Sequence, residues 1–140
     1  MRGREEEQAQ VMLGITPDTL VPQDHPIRRI RAITDRALKE MSPVLGTMYS
    51  GVGRPSIAPE RLLKASILMA LYSIRSERQF CERLQYDLLF KWFLNMNIAS
   101  PAFDHASFSK NRERLINHRV AEQFFAAVVE EATRAKLTSD

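Results

Sequence analysis

The chain has 140 residues, 44% hydrophobic and 26% charged, with a formal net charge of +3. That length fits one domain, or one domain with an arm, with enough buried surface for a core without staples, and the composition excludes global disorder. A lone cysteine, Cys81, excludes an internal disulfide. With His25, His105 and His118 scattered along the chain, it forms no zinc-ligand spacing either.

Residues 1–24 are polar, acidic at Glu5-Glu6-Glu7 and broken by Pro17 and Pro22, which reads as a flexible N-terminal arm. Met1–Glu7 lacks the apolar stretch of a signal peptide. A first helix follows, capped by Asp24 or His25, with Pro26 at its first position. Ile27, Ile30, Thr34, Ala37, Leu38 and Met41 recur at three-and-four spacing, and Arg28, Arg29, Arg31, Arg36 and Lys39 fill the other face. Ser42-Pro43 should end it, leaving a loop from Gly46 to Ala58. Residues 25–58 hold six Lys/Arg against two Asp/Glu, so the basic excess sits mid-chain and suits a phosphate-facing surface.

Pro59 opens a second helix with an apolar stripe of Leu62, Leu63, Ser66, Ile67, Ala70 and Leu71. Its apolar run is too short for the roughly 18 residues of a membrane helix, and the cytoplasm is the expected compartment. A third helix starts at Ser76, with Gln79 at capping-box spacing. Asp87 caps a short fourth, Leu88–Leu94. The aromatic group Phe80, Tyr86, Phe90, Trp92, Phe93 and Phe103 reads as core rather than as a stacking surface. A loop over 95–101 precedes a fifth helix capped by Asp104, and a last helix from about His118 to Ala135 buries Val120, Phe124, Val128 and Ala132 by period. No strand pattern competes. The expected fold is all-α: a compact bundle of five to six helices over residues 25–140, behind the arm.

The fifth helix hides Phe108 and Leu115 while presenting His105, Ser107, Ser109, Lys110, Arg112 and Arg114, a set that suits a DNA groove. Read from the residues alone, the same stretch is more readily a capped, solvated helix face, with Ser107 or Asp104 satisfying amides. Arg75 and Arg78 flank the preceding helix, where a supporting helix touches the DNA backbone. Gly53-Arg54-Pro55 places Arg54 as a minor-groove candidate, or as part of a turn before the Pro59 helix. The break between the two helices exceeds the few residues of a tight helix-turn-helix, so the pair is helix-turn-helix-like rather than a simple example.

Four blocks in order, Gly53–Lys64, Ser76–Asp87, Phe90–Leu94 and Asp104–Leu115, resemble the N-terminal domain of bacterial insertion-sequence transposases of the DDE type, over roughly His25 to Lys136. The family commonly has a second Ser or Thr after the Asp-His pair; Ala106 departs from that. The resemblance implies sequence-specific binding of double-stranded DNA at the terminal inverted repeats of a mobile element, within DNA transposition. In such enzymes a following catalytic domain supplies three acidic residues for two metal ions. Asp140 lacks the surroundings of the first of these, so no catalytic or metal-binding residue is assigned here. The chain is expected not to be an enzyme by itself and to need no cofactor. Its expected partners are DNA, a second copy or an intact transposase, and no membrane. A second reading is a helical dimerisation or docking module built on Phe124, Phe125, Val128 and Val129. A third is a truncated transposase product that represses transposition.

Overall fold

A computed structural model describes residues 17–49, 57–117 and 119–138, and those residues are all helix and connecting segments. The eight helices are α1 Pro17–Leu20, α2 Pro26–Glu40, α3 Ser42–Tyr49, α4 Pro59–Leu71, α5 Glu77–Leu84, α6 Leu88–Phe93, α7 His105–Asn117 and α8 Val120–Thr138. The fold is all-α, as the periodicities require.

Side chains that the sequence nominates cap four of these helices. His25 Nδ1 accepts from Ile27 N–H at 3.1 Å, Ser76 Oγ from Gln79 N–H at 3.2 Å, Asp87 Oδ1 from Phe90 N–H at 2.9 Å, and Asp104 Oδ2 from Ser107 N–H at 3.2 Å. Three helix ends among the described residues are made without glycine. Ser73, Asn95 and Arg119 take positive φ, and the amides just beyond two of them turn back (Ile74 N–H to Met69 O at 2.9 Å, Met96 N–H to Lys91 O at 2.7 Å).

Two short helices exceed the expected five to six. α3 begins at Ser42-Pro43, because a proline in a first turn forfeits no intrahelical bond and opens a new helix where it closes the old one. The loop expected over Gly46–Ala58 is therefore helical through Tyr49, and residues 50–56 lie outside the described residues. α1 falls inside the stretch expected to be an arm. Residues 17–24 are packed: Val21 is buried, and Asp18 Oδ1 accepts from Trp92 Nε1 at 3.1 Å and from Arg28 Nη1 at 3.0 Å. The arm expectation otherwise bears on residues 1–16, outside the described set.

The core gathers side chains from α2 through α8, with α2 packed on α8 and α7 packed on α4, α5 and α8. An aromatic row runs through it. Phe103 stacks on Phe108 at 5.7 Å, Phe108 on Phe80 at 5.4 Å, Phe80 on Phe90 at 5.5 Å, and Phe90 meets Tyr72 at 5.2 Å. Phe80, Phe90 and Phe108 are fully buried, each contributing about 2–3 kcal/mol of transfer free energy. This row joins α5, α6 and α7, whose relative placement therefore rests on rigid rings. Two expectations change. Tyr86 is 71% exposed and outside the core, and Ala70 and Leu71, in the last turn of α4, are exposed.

Candidate nucleic-acid interface

α5 and α7 pack directly against each other although α6 separates them in sequence. Glu77, in the first turn of α5, is the hub of that seam. Its Oε1 accepts from Ser109 Oγ at 2.8 Å and its Oε2 from Arg112 Nη1 at 2.8 Å. Arg112 Nε also donates to Ser66 Oγ on α4 at 3.2 Å. One carboxylate thus ties the presented side of α7 to α5, while Arg112 carries the tie on to α4. Ser109 and Arg112, both nominated as DNA contacts, are occupied inside the protein.

The remaining nominated residues divide by helix face. Arg78 shares an open groove with Asp104 and His105, and Arg75 shares another with Arg112 and Ser66. The structure thereby gathers Arg75, Arg78, His105, Ser109 and Arg112 along the α5–α7 seam. Lys110 lies about 160° around α7 from the buried Phe108, with Arg114 one turn further on the same exposed side. Ser107 Oγ donates to Asp104 Oδ2 at 3.3 Å within the cap. Arg75, Arg78 and Lys110 are exposed and form no ion pair with a described residue. Arg54 and His118 lie outside the described residues.

Several other cations are structural. Arg28 and Arg31 lie over the Trp92 ring at 5.1 and 4.5 Å, which turns the basic face of α2 inward at this point. Asp18 closes the cluster: the Trp92 N–H bond, then Arg28, holds its carboxyl below the usual range. Lys64 pairs with Asp35 at 2.6 Å, and Arg83 pairs with Asp87 at 3.0 Å while lying over Phe90 at 4.5 Å.

Two functionally placed residues escape sequence reading. Glu77 meets Arg112 across 35 positions, beyond any local pattern; the nearer Asp104 and Glu113 look like better partners on paper. Lys91, inside an aromatic block, is buried. Its Nζ donates to Ile98 O and Ser100 O, both at 2.8 Å, pinning the loop that leads to α7, and burial lowers its pKa. A single Lys amid Phe-Lys-Trp-Phe is the one available sign. Away from the seam residues, Glu40 and Glu131 meet across α2 and α8. Their hydrogen bond raises the Glu40 pKa, and Arg134 bridges both at 3.6 and 3.0 Å.

Among the described residues, no three His, Cys, Asp or Glu side chains converge to hold a metal ion, and no helix is long and apolar enough to cross a membrane. What stands out is a rigid helix pair with exposed cations at its borders, a geometry suited to a polyanion. No curated protein and no solved structure matches the chain significantly. One family does match, over residues 15–114, spanning every described residue of the seam. The chain belongs to the transposase domain (DUF772) family.

Proposed function

We propose that the chain binds double-stranded DNA at the terminal inverted repeats of a mobile element, as the recognition part of a DDE-type transposase. The observation that carries this reading is the set of exposed cations Arg75, Arg78 and Lys110, on or beside the α5–α7 pair of a transposase-family domain, none in an ion pair with a described residue. In this reading α5 and α7 act as a helix-turn-helix-like pair. The outer face of α7 enters the major groove, its start at His105 and Ser107 approaches base edges, and Arg75, Arg78 and Lys110 hold phosphates. Ser109 and Arg112 serve by fixing the angle of α7 through Glu77. Arg54 retains its place as a minor-groove candidate. The chain contributes binding rather than bond cleavage.

Fluorescence anisotropy with duplexes from the element's terminal repeat and with scrambled duplexes tests this. Tighter binding to the repeat is expected. Equal, weak binding to both removes sequence-specific recognition from this domain.

A second reading, a dimerisation module, is favoured by Phe125 and Val129, one turn apart on α8 and 37% and 64% exposed. Sedimentation across the micromolar range decides it: a strict monomer rejects dimerisation.

A further inference from the structure

Between α5 and the extended segment 101–104 runs an open groove of about 680 Å³, within the size range of ligand clefts. We propose that this groove receives an unstacked nucleobase of the bound DNA, held between Tyr86 and Phe103. The proposal rests on the DNA-binding reading and assigns a site to single-stranded or frayed nucleotides beside the duplex.

The walls are unequal in a way that suits a flat ring. Phe103 is immobilised by its stack on Phe108, itself locked against Phe80. Its segment is pinned where Ala102 N–H donates to Gln85 Oε1 at 2.9 Å. Tyr86, by contrast, is 71% exposed and has no ring partner among the described residues. A large aromatic left in water beside a fixed one offers two π faces, the element that holds successive bases in single-strand binding sites.

Polar groups line the same groove. Arg78 lines the groove as an exposed cation with no ion pair to a described residue, available to the adjoining phosphate. Glu82 and Asp104 line the groove as carboxylates, which accept from a donor on the base's exposed edge, such as cytosine N4–H or thymine N3–H. The Cys81 thiol also lines it; burial holds its pKa at about 11, so it stays neutral and adds no charge against the ligand. The groove ends at Asp104 and His105, the start of α7, so a base displaced next to the recognised duplex is within reach of it.

The test compares, by anisotropy at low salt, one short blunt duplex with the same duplex carrying a single-stranded overhang of cytosines or of thymines. Either overhang should strengthen binding roughly tenfold over the blunt end, the scale of one stacked base. Tyr86→Ala should abolish the gain and leave blunt-duplex affinity unchanged, while Tyr86→Phe, which keeps the ring, should retain it. A blunt duplex bound normally with no gain from either overhang overturns the groove assignment alone. So does a gain that survives Tyr86→Ala. Failure to bind any of these DNAs overturns the DNA-binding reading as well.

Discussion

Replacing Glu77 with alanine tests the seam on which the account depends. The substitution deletes the acceptor of two charge-assisted bonds, from Ser109 Oγ and Arg112 Nη1, each at 2.8 Å. Such bonds contribute about 1.5–3 kcal/mol apiece when buried. Here the side chains of Arg112 and Glu77 are 23% and 30% exposed, so solvent screening reduces the pair to about 2 kcal/mol in all. For a domain of this length that lowers Tm by about 6–8 °C. Thermal melts by circular dichroism read it directly. Glu82→Ala, an exposed neighbour without an ion pair to a described residue, is the control and should stay within about 0.5 kcal/mol of the parent. A double-mutant cycle of Glu77→Ala with Arg112→Ala should give a coupling of about 1 kcal/mol. Melting of Glu77→Ala within a degree of the parent, or zero coupling, would refute the reasoning.

Three further outcomes are expected. Lys91→Met removes the donor to Ile98 O and Ser100 O and should destabilise the domain by about 2 kcal/mol, with faster amide exchange across 97–104; exchange unchanged there would show that Lys91 does not hold the loop. The Asp18 carboxyl is depressed by the Trp92 and Arg28 bonds, so its contribution is present above its ordinary 3.8 and lost as pH falls through its lower folded value. The fluorescence of Trp92, the single tryptophan, should report this as an acid transition that Asp18→Asn flattens, and identical profiles would contradict the contact. Glu40 is raised by its bond to Glu131, so its contribution is full below the ordinary 4.5 and lost as pH rises through the folded value. Glu40→Gln should therefore melt higher than the parent at neutral pH and lose that pH dependence; a lower neutral-pH Tm would count against it.

Local chemistry made much of the fold legible. The caps at His25, Ser76, Asp87 and Asp104 lie within three residues of the amides they satisfy, so spacing alone places four helix starts. The α2 stripe of Ile27, Thr34, Ala37 and Leu38 is buried as its period demands. Ser42-Pro43 misleads because proline ends one helix and begins another with the same geometry, and only tertiary packing decides which follows. Tyr86 misleads because it follows α5 rather than continuing it, so the helical register that makes it look buried no longer applies. At the site, the residue types on α7 are readable but their use is not. Ser109 and Arg112 have the composition of DNA contacts, and only the long-range approach of Glu77 shows them facing another helix. The Arg28–Trp92–Arg31 stack is hidden for the same reason, since it joins α2 to α6.

The salt dependence of duplex binding tests the central claim most directly, measured for the parent and for the folded triple variant Arg75→Ala, Arg78→Ala, Lys110→Ala. If these three side chains contact phosphates, the slope of log affinity against log salt becomes shallower by about 2.7, at about 0.9 per contact. A triple variant with the parent's affinity and slope would take the α5–α7 face out of any DNA interface.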